Sequence, residues 1–155
     1  MTGGLGISGF AAEEITDLAL PGAAYNIALG AKSGFFGGEL GLNGGGYTFD
    51  PESASADIAM VGFSGDLKLQ PSIGFFEPYV SGGVGGYALS DAIISEGARG
   101  AGLRLGFGAD FRFQQVALRL NYQHGSYGLQ DINGQYGGNL AARTETVGAN
   151  LVVYF

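Results

Sequence analysis

The stretch Leu103-Arg104-Leu105-Gly106-Phe107-Gly108-Ala109-Asp110-Phe111-Arg112-Phe113 sorts its residues by parity. Odd positions hold Leu, Phe or Ala, and even positions hold Arg, Gly or Asp. Successive side chains of a strand point to opposite faces, so this run describes a strand whose two faces meet different media. The next segment repeats the pattern: Val116, Leu118, Leu120 and Tyr122 oppose Ala117, Arg119, Asn121 and Gln123, with only Gln114 and Gln115 between the two runs. Two matching runs joined by two residues form a β-hairpin.

Working outward, the alternation recurs along the chain. Tyr25, Ile27, Leu29 and Ala31 oppose Asn26, Ala28, Gly30 and Lys32, and Leu40 and Leu42 oppose Glu39, Gly41 and Asn43. Val61, Phe63, Leu67 and Leu69 oppose Met60, Ser64, Asp66 and Lys68, while Val80, Val84 and Ala88 oppose Tyr79, Ser81, Gly83, Gly85 and Tyr87. The last run sets Val147, Ala149, Leu151, Val153 and Phe155 against Thr146, Gly148, Asn150 and Tyr154. With a short Gly-rich start, Gly3 to Phe10, eight strands are predicted. Connections near 33, 73 and 114 are short, whereas those near 16, 53, 94 and 134 are longer and polar. That rhythm predicts an all-β, eight-stranded antiparallel up-and-down barrel, one domain over residues 1–155, with turns at one end and loops at the other.

A soluble barrel and a transmembrane barrel put opposite faces inside. Glycine decides between them. The chain has 31 Gly in 155 residues, without the three-residue period of collagen. On the strands they gather on the charged face, at Gly30, Gly41, Gly83, Gly85, Gly106, Gly108 and Gly148. Small residues fit the crowded interior of a tightly curved barrel, so the charged face is the lumen and the apolar face meets lipid. Narrow-lumen charges must pair, because an unpartnered buried charge is costly. We therefore expect a lumen network of Glu39, Asp66 and Asp110 with Lys68, Arg104, Arg112 and Arg119.

Charge is distributed accordingly. The net charge is −7. Taking the loops as 11–22, 50–57, 90–99 and 128–143, nine acids and two bases fall in them, and the remainder holds five of each. The acidic balance argues against a nucleic-acid partner. Absence of Cys removes disulfides and thiolate metal sites. The longest charge-free apolar stretch, 18–31, is interrupted by Pro21 and Gly22 and falls short of the roughly 20 residues of a spanning helix. Met1-Thr2-Gly3-Gly4 has neither a basic nor an apolar leader region, so an export signal is expected to be missing from this chain.

Two segments resemble a known family. Glu77-Pro78-Tyr79-Val80-Ser81-Gly82-Gly83-Val84-Gly85-Gly86-Tyr87 resembles the "PYxxxGxGxY" strand of small bacterial outer-membrane barrels of the opacity/OmpA-like superfamily. Residues Thr146 to Phe155 resemble their terminal strand. The resemblance implies an integral, monomeric outer-membrane barrel of a Gram-negative bacterium, with both termini periplasmic, and the terminal Phe155 leads us to expect no following domain. It implies that the barrel-assembly machinery reads Gly148, Leu151, Val153 and Phe155, and that outer-membrane lipids and lipopolysaccharide are partners. The chain has no Trp, so an interfacial girdle would use Tyr25, Phe36, Phe113, Tyr122 and Phe155.

Few residues point to chemistry. His124, the sole His, and Ser126 share the lipid-facing row, and Glu145 sits on the neighbouring strand near the same loop end. That set resembles the catalytic group of lipid A deacylases, which implies His124 as general base, Ser126 as nucleophile and Glu145 orienting His. Those enzymes carry Asn after the Ser, where this chain has Tyr127, and an interfacial role for His124 is the preferred expectation. Asp50, Glu52 and Asp57 offer hard oxygen ligands in one loop, but their spacing fits no EF-hand. No cofactor site is expected. The expected role is structural or surface-interacting, through acidic loops; a narrow channel or lateral transporter for small or hydrophobic solutes is the alternative, and a deacylase-like esterase the third.

Overall fold

The computed structural model describes residues 2–15, 22–48, 57–91, 97–131 and 139–154. Eight strands follow in chain order: β1 (Thr2–Ile15), β2 (Gly22–Ser33), β3 (Phe36–Thr48), β4 (Asp57–Leu69), β5 (Phe76–Asp91), β6 (Gly97–Phe113), β7 (Val116–Asp131) and β8 (Asn139–Tyr154). Each pairs antiparallel with its sequence neighbours, and β8 returns to β1, closing the barrel. Closure removes every sheet edge, which a structure surrounded by lipid requires. Ladders from β2 through β8 run in unbroken register, while both ladders of β1 slip, between Gly9 and Ala12 against β2 and between Ser8 and Ala11 against β8.

The tight turns behave as their residues dictate. The first residue of each two-residue connection has positive φ, Gly34 at 61° and Gln114 at 58°. Gly takes that conformation freely, and Gln does so at a cost. Each turn is also tied to the next strand: Gln70 N donates to Phe35 O (2.8 Å), Arg112 N to Phe75 O (2.7 Å) and Tyr154 N to Gln115 O (2.7 Å).

Polarity is inverted relative to a soluble protein. Leu67 is 76% exposed, with Leu40, Phe63, Leu103 and Leu105 similarly bare, whereas Asp110 is completely buried and Lys68, Glu77, Arg104 and Arg119 nearly so. Alternation thus delivers the apolar face outward, as a transmembrane barrel needs. At the turn end Phe35, Phe36, Phe75 and Phe113 stand exposed, with Phe75 and Phe113 stacked at 6.2 Å. Of the expected girdle, Phe36 and Phe113 belong to this belt and Tyr25 is exposed toward the loop end. Tyr122 instead packs on Phe107 at 5.1 Å in mid-strand, and Phe155 lies outside the described residues.

The strands run longer than expected. At 12 to 17 residues they exceed the roughly 9–11 that cross a bilayer. Asp57 pairs with Thr48, Asp91 with Ile58, Asp131 with Ala98, and Arg143 with Ser126. The bounds 11–22, 50–57, 90–99 and 128–143 therefore overstate the loops, and Glu13 and Glu14 fall on β1, likewise longer than Gly3 to Phe10. Hydropathy falls where lipid ends, but a closed ladder can go on pairing in water. Asp17, Asp50, Glu52 and Glu96 lie outside the described residues.

Candidate functional site

Inward alternation on β3 to β8 aims six polar side chains, Glu39, Lys68, Tyr79, Asp110, Arg119 and Tyr154, at one level of a narrow lumen. Arg119 (β7) stands directly opposite Asp110 (β6) across the Gln114-Gln115 turn. Its guanidinium grips that carboxylate with both prongs, Nε to Oδ1 at 2.6 Å and Nη2 to Oδ2 at 2.8 Å, and donates from Nη1 to Glu39 Oε1 at 2.7 Å. Lys68 Nζ meets the other Glu39 oxygen at 2.7 Å. Asp110 also accepts from Tyr154 Oη (2.6 Å) and Gln70 Nε2 (3.0 Å). The Tyr79 ring lies beneath Lys68 and Arg119, 4.4 and 5.3 Å from the cations.

Nearer the turns a second knot forms. Lys32 Nζ donates to Glu77 Oε2 (2.7 Å) and Ser72 Oγ (2.9 Å), and Ser72 Oγ donates to Glu77 Oε1 (3.1 Å). Gln70 links the two knots through Glu77 and Asp110. Bidentate, fully hydrogen-bonded pairing is what makes buried charge tolerable. Glycine supplies the room: a Cβ on Gly30 would lie 2.6 Å from Glu39 Cγ, and one on Gly108 2.8 Å from Tyr79.

Of the seven charges expected in the lumen, the structure brings four together: Glu39, Lys68, Asp110 and Arg119. Asp66 and Arg104 form a separate pair with 3.8 Å between Arg104 Nη1 and Asp66 Oδ2, too long for a hydrogen bond; Arg104 Nη2 donates to Gln123 Oε1. Arg112 sits at the turn-end rim, 3.6 Å from Glu77 and over the Tyr154 ring. Sequence reasoning missed Lys32, Gln70, Ser72, Glu77 and Tyr154. Lys32, Glu77 and Tyr154 fall on inward rows and were legible by parity. Gln70 and Ser72 flank Pro71 in what reads as a surface turn, and nothing local signals that this turn folds into the mouth.

Above the network lies a polar chamber. Asn26 donates to Asn43 (2.6 Å), Asn43 to Ser64 (3.1 Å) and Asn150 to Asn121 (2.6 Å). Toward the loop end Tyr87 and Tyr127 pack edge to face at 4.5 Å.

On the outer wall His124 and Glu145 are direct cross-strand partners, Nδ1 to Oε1 3.6 Å, both partly exposed. Ser126 is exposed on the same row, opposite Arg143. In the terminal strand Leu151 and Val153 point outward, and Gly148 faces Asn121 inside. Asp57 opens β4, while Asp50 and Glu52 lie outside the described residues; among the described residues no three His, Cys, Asp or Glu side chains gather as metal ligands.

No family profile and no curated protein matches the chain. Solved structures do match. The crystal structure of Neisserial surface protein A (NspA) aligns over 99% of this chain and 97% of its own, with a TM-score of 0.72 at 13% identity. The N-terminal β-barrel domain of Pseudomonas aeruginosa OprF aligns over 99% and 97%, at 0.59 and 14%. The outer membrane enzyme PagL aligns over 99% of each chain at 0.48 and 11%. At such identities the first two establish a shared barrel fold and nothing about activity.

Proposed function

We propose that this chain is an integral outer-membrane barrel of the opacity/OmpA-like superfamily in a Gram-negative bacterium. It acts as a monomer with periplasmic termini, and its role is structural or surface-interacting through acidic outer loops. The carrying observation is the pairing of a lipid-compatible apolar outer wall with a lumen closed by interlocked ion pairs. Both chain ends lie at the turn end, Thr2 opposite Lys32 and Tyr154 opposite Gly4, which supports one side for both termini. Acidic loops would meet lipopolysaccharide through divalent cations, and the barrel-assembly machinery would read Gly148, Leu151, Val153 and Phe155 on β8. Extraction tests the core of the proposal: the protein should need detergent and migrate heat-modifiably on a gel, and a monomer soluble in plain buffer would end it.

One observation favours a second reading, the His124–Glu145 contact beside Ser126. His124 stands eight residues beyond the first residue of β7, roughly 20 Å up the barrel axis and so near the outer edge of a lipid band of about 25 Å. An esterase acting on lipid A would work at that height. Deacylation by the parent protein that disappears in Ser126→Ala would establish it; an inactive parent ends it. The channel reading meets the ion-pair plug, and bilayer conductance well above baseline would restore it.

A further inference from the structure

Of the seven Lys and Arg residues, Lys32, Lys68, Arg104, Arg112 and Arg119 face the lumen or its rim beside carboxylates. The other two, Arg99 on β6 and Arg143 on β8, are exposed on the outward row. Among the described residues neither has an ion-pair or hydrogen-bonding partner. Both stand toward the loop end. Arg143 pairs with Ser126, two residues past His124 and so about 5 Å higher, at the outer edge of a lipid band of about 25 Å. Leu103 pairs with the same Ser126 from the other side. Arg99 lies four residues beyond Leu103, roughly 13 Å further along the strand and about 10 Å to the side of Arg143.

A cation on a lipid-facing wall is costly at mid-membrane and tolerated where the headgroups begin. Headgroup phosphates are the anions at that height, and the guanidinium fork matches a phosphate. The cations also occupy one side only. Toward the loops the outward rows of β2 to β5 offer Tyr25, Gly46, Ala59 and Ala88, with no Lys or Arg on them. Between the two arginines the wall is low: Ala101 pairs with Gly128 and Gly128 with Ala141, and nothing lies within 4 Å of where a Gly128 Cβ would be. Ser126 adds an exposed hydroxyl. Below it Leu103, Leu105, Phe107 and Val147 form a bare apolar wall. The outward carboxylate on this face, Glu145, is already engaged, by a hydrogen bond with Tyr122 and by His124 at 3.6 Å. Glu14 of β1 stands opposite Glu145, two residues nearer the turns than Arg143 and on the side away from Arg99.

We propose that this face of β6 to β8 binds the phosphorylated headgroup of an outer-leaflet lipid. Arg143 and Ser126 take the phosphate, Arg99 closes on the headgroup from the loop side, and the acyl chains lie along Leu103, Leu105 and Phe107. The inference rests on the outer-membrane reading and deepens it: acidic loops need a divalent cation to meet a phosphate, whereas this face meets one directly. With His124 neutral, Arg99 and Arg143 are balanced by Glu145 and Glu14, so the face exerts little long-range pull on anions in general. Recognition therefore depends on contact with the two free guanidinium forks, which favours phosphate over negative charge as such.

The test is native mass spectrometry of the full chain released from nonionic detergent micelles, with a chelator present throughout. The probes are phosphatidic acid, diacylglycerol and its succinate ester, all with the same acyl chains, and inorganic phosphate. Phosphatidic acid should be retained at least about tenfold more tightly than either phosphate-free lipid. Arg143→Gln should weaken that retention about tenfold and Arg99→Gln about threefold. Heat-modifiable migration checks that the variants fold; if they do not, the comparison of phosphatidic acid with the succinate ester on the parent chain decides alone. Equal retention of those two lipids, or unchanged retention in the double variant, overturns the proposal. Inorganic phosphate held as tightly as phosphatidic acid also overturns it, leaving an ion site and no lipid site. A chain soluble without detergent overturns the outer-membrane reading and this inference with it, whereas a detergent-requiring barrel with no phosphate preference overturns this inference alone.

Discussion

The two halves of the lumen use the same kinds of side chain to different ends. In the turn half, Asp110 receives bonds from Arg119, Tyr154 and Gln70, and both Glu39 oxygens are taken. In the loop half, Asp66 and Arg104 stand 3.8 Å apart with atoms unpartnered. Both halves are polar and buried, so burial alone does not say whether a charge is structural. What separates them is the geometry of the clasp: hairpin partners facing each other directly can interlock, while partners separated by a glycine strand only approach.

The largest expected effect cuts the clasp. Arg119→Leu leaves Asp110 and Glu39 without their shared cation and should cost about 3–5 kcal/mol in denaturant unfolding followed by gel migration; a loss below about 1 kcal/mol would mean the plug is not holding the turn half together. Filling the space beside it comes next. Gly108→Val drives a side chain into the Leu120 carbonyl and the Tyr79 ring, and should cost about 1–3 kcal/mol. Gly46→Ala and Gly128→Ala, where nothing lies within 4 Å of the new Cβ, should stay within about 0.5 kcal/mol on the same assay. Equal losses at Gly108 and Gly46 would erase the distinction between a crowded wall and an open one. The loop half should be more forgiving: Asp66→Asn is expected to cost about 1 kcal/mol or less, since Asp66 has no clasp to lose. Gln114→Gly relieves a left-handed residue in a tight turn while freeing the unfolded chain, and should raise stability by no more than about 1 kcal/mol.

Legibility followed distance along the chain. Parity in Leu103 to Phe113 placed Arg104, Asp110 and Arg112 of β6 inward, and the two-residue turn made Asp110 and Arg119 partners by symmetry about 114 and 115. His124 and Glu145 were similarly near by symmetry about the last loop. Glu39 reaching Arg119 needs the closed barrel, since 80 positions separate them, and no local pattern encodes that. The Asp66 and Arg104 pair defeated parity for another reason: facing inward says that two charges share a lumen, and only the strand between them says whether they touch. Loop bounds failed because polarity was taken to end pairing, while backbone hydrogen bonds continue past the lipid.

The slipped registers of β1 concern time as well as space. Every other pairing joins neighbours in sequence, so the chain can zip hairpin by hairpin, and a single contact, β8 with β1, spans the whole length. Closing the ring is thus left to one late step, after the strands between have paired. Until then β1 and β8 are raw edges, open to the wrong partner. Slack in the last strand to be fastened lets the ring close without demanding that every earlier register be perfect.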